Sequence, residues 1–355
     1  MGASTRHVSV SPRPHHGAAP LLAADVGGTH VRVGLVNACA PDTLQHYRRY
    51  ACADFAGLAE VLQAYVVAVP VAATVRRGVL ATAGHAREDG SVLSVNLPWP
   101  VVPMHIRTAL GFDELALVND FEALAHAGAA TDAHVLLRLS GPEVAPAGPV
   151  LVVGPGTGLG AAVRIPGRHG LVQVLATEAG QASLTATTDL EMAVLREFLR
   201  ERRHVPIEHA LSGPGLLRLY LALARVRGIA PTQATPDAIS AAAGAGAGDV
   251  LAHDTLELFC ALLGGAVGDM ALLYGARGGV QLAGGILPQI RDFLARSSFV
   301  PRFLDKGPMR ESLLRIPLTL VEHGQLGVIG AASWYLARGR DHDAHEQART
   351  DARPT

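Results

Sequence analysis

A strand–glycine turn–strand unit that occurs twice constrains this chain more than any other feature. LLAADVGGTHVRVGLV (residues 21–36) and PVLVVGPGTGLGAAVRI (residues 149–165) each place an apolar run, a glycine turn and a second branched run in series. VRVGLV is too short and too rich in β-branched residues for a helix, so the first unit reads as strand, turn, strand. The second is a loose echo of it. Two similar hairpins so far apart suggest two related α/β halves, although a short glycine-rich echo also arises by chance. In GGVQLAGGILPQI a strand, a third glycine turn and the start of a helix follow one another.

The segments between fit alternating strands and helices, which argues for an α/β architecture. Phe55 to Val66 is helix-like, RRGVLATAG reads as a buried strand, and ELALVND followed by FEALAHA reads as a strand running into a helix. Thr188 and Glu191 form an S/T-x-x-E capping box ahead of another helix. SGPGLLRLYLALARVRG starts and stops a helix at Gly228, Ala241 to Asp249 reads as a flexible joint or loop, and a long apolar helix spans about Leu251 to Tyr274. The 355 residues exceed what one core usually holds and predict two domains. With 49% apolar and 17% charged residues, the chain can bury a sizeable core and is not globally disordered.

Charge and composition exclude several classes. A formal net charge of -1 gives no field for a polyanion, so nucleic-acid binding has no electrostatic support. Lys306 is the only lysine, so phosphate chemistry here cannot use a Walker A or protein-kinase lysine. Cys39, Cys52 and Cys260 are far apart, with no CxxC pair, and read as free thiols of a reducing, cytoplasmic compartment. The first twenty residues lack an apolar signal-peptide core, and the polar stretch from Gly339 is expected to fray. The uncharged stretch between Glu143 and Arg164 is broken by Gly and Pro and is no membrane helix.

A turn of small residues lets backbone N–H groups approach an anion. For any one of the three turns a tight hairpin or bulge is as good a reading. Three in one chain, two of them carrying a threonine, favour nucleotide binding. Gly156-x-Gly158-x-x-Ala161 matches a relaxed dinucleotide fingerprint, with Glu178 near the spacing of a ribose-binding acid. That fingerprint needs a helix directly after the turn. AAVRIPGRHGLVQV reads instead as a hairpin.

DVGGTHVRVGL, LVNDFEALA, VVGPGTGLGAAV, TEAGQ, IEHALSGPGLLRLY, LAGGILPQI and DKG resemble, in order, the motifs of bacterial glucokinases, which belong to the hexokinase and actin superfamily. The similarity runs from about Leu21 to Arg338. It implies a two-domain, actin-like (ribonuclease H-like) ATPase fold with an interdomain cleft. A small domain of residues 21–130, completed by about 331–340, accompanies a large domain of 131–330, with a loose extension at 1–20 and a polar tail at 341–355. The cysteine-rich zinc motif of the related repressor kinases is missing, which favours the zinc-free branch. A dimer is what the resemblance suggests.

A sugar hydroxyl is a poor nucleophile, so a carboxylate must receive its proton. Asp120 stands where a strand gives way to a helix, at the edge where open α/β sheets place ligands, and a simple helix N-cap carries equal weight there. By resemblance Asp120 is the catalytic base and Asn119 its sugar-binding neighbour. Glu178 and Glu208 match the sugar-binding glutamates, where residues alone would read as surface acids. The resemblance places Ala24, Asp25, Val26, Gly27, Gly28 and Thr29 around the outer phosphates of ATP. Asp25 would act on magnesium through water, against the plainer reading of a turn-forming aspartate. Gly156, Thr157 and Gly158 would face them from the opposite domain, with Gly284 and Gly285 beneath the adenosine and Lys306 purely structural. Three positions depart from the pattern: Gln181 for a sugar-contacting histidine, His30 for asparagine and His85 for proline.

The expected activity is ATP-dependent phosphorylation of glucose at the 6-hydroxyl. The alternatives are a kinase for another hexose or amino sugar, or a catalytically weak sugar sensor. A DNA-binding repressor is not expected, because twenty residues leave no room for a helix-turn-helix.

Overall fold

The computed structural model describes residues 20–86, 92–93, 97–167, 172–244, 248–322 and 324–351, with side chains described as far as Arg338. Among these, one compact unit holds 20–130 and 324–351, and a second holds 131–322. The loose extension expected at 1–20 lies outside the described residues, apart from Pro20.

The first unit contains β1 (Leu21–Val26), β2 (His30–Asn37), β3 (Ala40–Ala51), α1 (Leu58–Ala68), β4 (Arg77–Thr82), the short pair β5 (His85–Ala86) and β6 (Val92–Leu93), α2 (Pro103–Leu110), β7 (Glu114–Val118) and α3 (Asp120–His126). Its main sheet has the order β3-β2-β1-β4-β7. Strands β1 to β3 form an antiparallel meander, whereas β4 and β7 join parallel to β1. Parallel neighbours need crossovers, and α1 and α2 supply them. On one face Leu22, Val31, Val33 and Leu80 meet Val61, Leu62 and Tyr65 of α1.

The second unit contains β8 (Val135–Ser140), β9 (Val150–Pro155), β10 (Leu159–Pro166), β11 (Val172–Thr177), α4 (Asp189–Leu199), α5 (Ile207–Ala210), α6 (Gly213–Arg227), α7 (Pro236–Gly244), α8 (Val250–Leu273), β12 (Gly279–Leu282), α9 (Arg291–Arg296), α10 (Phe299–Leu304), α11 (Arg310–Leu313) and β13 (Leu318–Val321). Its sheet has the order β11-β10-β9-β12-β13-β8. An antiparallel meander is again followed by two parallel strands, with β8 added antiparallel at the far edge. The repeated hairpin is therefore the visible part of a repeated sheet topology. Because β10 pairs with β11, no helix follows the Gly156–Gly158 turn, and the dinucleotide fingerprint is excluded.

Helix α8 is long and apolar enough to cross a membrane by length and composition. Here Leu256, Phe259, Cys260 and Leu263 are buried in the second core. Its Gly268 lies against the stem of Lys306, whose Nζ is 2.6 Å from Asp269.

Three sequence expectations are corrected. Ala241 to Gly244 is the end of α7, not a loop: alanine favours helix, and Ile239 and Ala243 are buried. The helix placed at Phe55 starts at Leu58, because Gly57 is extended and forms its N-cap. The return to the first unit begins at Gly324, where α12 (Gly324–Asp351) starts, inside the stretch assigned to the large domain. Val328, Ala331, Ala332, Trp334 and Tyr335 cover the second face of the first sheet against Leu21, Ala23, Val79 and Val118, which holds the helix there. The backbone remains helical through the polar stretch to Asp351.

Candidate functional site

In the first unit the site is set by strand register. Val26 lies opposite Thr82 and Ala81 opposite Val118, so β1, β4 and β7 end along one edge. Gly27–Thr29 and Asn119–Asp120 leave that edge two strand spacings apart, roughly 10 Å. The turn is closed by Gly27 N donating to His30 O at 3.0 Å and anchored by Cys52 N donating to Thr29 O at 2.9 Å. The Cys52 thiol donates to Gly27 O at 3.3 Å, and burial pushes its pKa up. Thr29 is exposed at the tip. Burial first, then the Arg49 and Arg32 charges, push the His30 imidazole below its ordinary pKa. The side chain of His85 lies outside the described residues.

Asp25 is not a turn residue. It sits within β1, 3% exposed, and its Oδ2 accepts from Arg32 Nη1 at 3.1 Å. The β1–β2 register places Asp25 opposite Arg32, which fixes the pair.

The N-cap of α3 is Asn119, whose Oδ1 accepts from the backbone N of Phe121 and of Glu122, both at 3.0 Å. Asp120 is the first helical residue, half-buried, and its Oδ1 also accepts from Phe121 N at 2.9 Å. The choice between cap and neighbour thus goes to Asn119 as the cap.

The second unit has a corresponding edge, because Leu282 lies opposite both Val153 and Leu320. Gly156–Gly158 and Gly284–Gly285 follow the ends of β9 and β12 there. Gly284 has φ +93°, and a Cβ on it would come within 2.4 Å of Pro155 O, so glycine is required where the two turns press together. The Glu208 carboxylate touches the first turn: Leu159 N donates to its Oε2 at 3.4 Å, and Gln181 Nε2 donates to its Oε1 at 2.8 Å. His204 Nε2 is 2.9 Å from the backbone O of Gln181. Glu178 is exposed and precedes the short 3₁₀ turn Ala179–Gln181. Gly156–Gly158, Gln181 and Glu208 are brought together, with Glu178 three residues before Gln181. Ala24–Thr29, Asn119 and Asp120 belong to the other unit.

An open cradle is what a nucleotide needs, and Gly156 and Gly285 have nothing within 4 Å of where a side chain would start. The Asp25 carboxylate is buried against the Arg32 guanidinium. Among the described residues no three His, Cys, Asp or Glu side chains form a metal-binding group.

Sequence reasoning missed Arg32 and the Ser212–Gly213 junction. Arg32 carried a signal: it is a lone charge between Val31 and Val33 in an otherwise apolar strand, on the same strand face as His30. The junction carried none, because Gly213 N donates to Gly156 O across 57 residues at 2.8 Å.

The family model described as "Glucokinase" matches residues 22–338. A "Glucokinase-like protein" of Xylella fastidiosa (strain 9a5c) is 54% identical over 319 residues, covering 89% of this chain and 94% of its own. A "Glucokinase" of Saccharophagus degradans is 37% identical over 322 residues, covering 89% of this chain and 98% of its own. The crystal structure of a glucokinase from an Antarctic psychrotroph superposes with a TM-score of 0.73 at 34% identity, covering 89% of this chain and 98% of that one.

Proposed function

Because the chain belongs to the glucokinase family of hexose kinases, we propose that it moves the terminal phosphoryl group of ATP onto the 6-hydroxyl of glucose, with Asp120 as general base. The observation that carries this reading is the shared sheet edge of Asp120 and the Gly27–Thr29 turn. Asp120 receives the hydroxyl proton as the sugar oxygen bonds to the γ-phosphorus and the bond to the β-phosphate oxygen breaks, so that ADP leaves. Asn119, Glu178, Gln181 and Glu208 bind and orient the acceptor. Ala24–Val26 lie in the paired strand β1, and the amides of Gly27 and Gly156 already donate to His30 O and Gly158 O. Backbone amides of Gly28, Thr29, Thr157 and Gly158 therefore hold the donor's phosphates, and Gly284–Gly285 pass beneath its adenosine. Magnesium would supply charge neutralisation on those phosphates when bound, and Asp25 is the carboxylate that would hold it, through water.

The hydrogen bond from Gln181 to Glu208 favours a second reading, a kinase for another hexose or amino sugar, because the carboxylate's orientation selects among ring hydroxyls. A coupled assay with ATP and magnesium over a sugar panel separates the two. Turnover on glucose that disappears in Asp120→Asn supports the main reading, whereas hexose binding without turnover in the wild type would overturn it.

A further inference from the structure

The segment from Glu208 to Gly213 straddles the Gly156–Gly158 turn. At one end Gly213 N donates to Gly156 O at 2.8 Å, and at the other the Glu208 carboxylate reaches Leu159 N. Between them Ser212 Oγ donates to the backbone O of Glu208 at 2.8 Å and accepts from Gly215 N at 3.0 Å, which ties α5 to the start of α6. A Cβ on Gly158 would lie 2.7 Å from Glu208 Oε2. The absent side chain at 158 therefore makes room for a carboxylate. At Gly156 the same space is open.

A carboxylate against a phosphate-binding turn opposes its ligand: it occupies the amide that directly follows the turn, Leu159 N, and repels the incoming negative charge. Gln181 Nε2 holds the other oxygen at 2.8 Å and keeps the carboxylate in that position. Acceptor hydroxyls compete for the same oxygens, and drawing the carboxylate toward the sugar frees Leu159 N and relieves the repulsion.

We infer that Glu208 is a brake on the donor turn that bound hexose releases, so that nucleotide binds tightly only after acceptor. The inference rests on the kinase reading and deepens it, since it would also restrain ATP hydrolysis without sugar. All the contacts it uses lie within the second unit.

The test is calorimetric titration of the full chain with magnesium and a non-hydrolysable ATP analogue. In the wild type, saturating glucose is expected to tighten analogue binding by roughly fivefold or more, within the usual range of coupling between sites. Without sugar, Glu208→Gln, which keeps the side chain's size but removes its charge, is expected to bind the analogue tighter than wild type by a similar factor. Glu208→Ala, with folding checked by its thermal midpoint, provides a second variant of the same sign. Equal or weaker analogue binding by both sugar-free variants overturns the brake while leaving the kinase reading intact. Failure of the wild type to bind the analogue even with glucose sinks both.

Discussion

Gly327, in the first turn of α12, stands directly against the Asp25 carboxylate. A Cβ at 327 would lie 2.8 Å from Asp25 Cγ and 2.9 Å from its Oδ2. Three residues on, a Cβ at Gly330 would fall 1.9 Å from Ala123 O in α3, and Trp334 Nε1 donates to Glu122 Oε1 at 2.8 Å. One helix thus rests on both the Asp25 strand and the helix that starts at Asp120.

Gly327→Ala is expected to push Asp25 off Arg32, because the neighbour is a short, buried side chain with nowhere to go. Overpacking of this kind costs about 1–3 kcal/mol. The denaturation midpoint should fall, and kcat should fall with it. A variant with full activity and an unchanged midpoint would remove Gly327 as the support of Asp25.

Asp120→Asn is expected to lower kcat by about 100-fold or more, the usual contribution of a general base, while KM changes little. The fold should tolerate it, because Asn119 caps α3. Asn119→Ala should instead cost about 1 kcal/mol of stability through the lost cap. Steady-state kinetics and urea unfolding on both variants separate the two roles.

The second unit depends on a buried charge pair between helices. Glu191 is 4% exposed and completes the capping box of α4, accepting from Thr188 N at 3.2 Å and Thr187 N at 2.7 Å. Arg302 Nη2 of α10 is 3.0 Å from its Oε1. Glu191→Ala leaves Arg302 with the exposed Asp305 carboxylate, 3.8 Å from Nη1, and the Thr187 hydroxyl in place of a buried partner, and should cost up to about 3–5 kcal/mol. The double variant Glu191→Leu, Arg302→Leu should be less damaging than either single change, as measured by denaturant unfolding.

Stability should fall in mild acid. Burial pushes the His126 imidazole down to about 4, and burial with the Arg202 and Arg218 charges does the same to His209, which packs edge-on to Phe198. Both values lie below that of the unfolded chain, about 6.5, so the unfolded state binds these protons more strongly. The contribution is complete above about pH 6.5 and is lost as pH falls toward about 4. His209→Phe should flatten part of that fall in thermal midpoints taken from neutral pH to pH 5. An unchanged slope would rule out His209 as a source.

The sequence alone determined whatever is encoded within a few consecutive residues. The paired strand–turn–strand units follow from branched runs broken by glycine. The Thr188–Glu191 box follows from two side chains that reach each other's backbone within one helical turn. The start of α8 within one residue of its expected place follows from the same local reach, with Asp249 accepting from Ala252 N. The tertiary structure decided which distant groups meet. Asp25 faces Gly327 across 302 residues, and Gly158 leaves space for Glu208 across 50. Two adjacent polar residues at a helix start are equally good caps by type, so Asn119 rather than Asp120 was fixed only by how the strand before them is held. Packing selects among locally equivalent choices because a close approach or a buried carboxylate tolerates one arrangement, and that constraint comes from the opposite side of the contact.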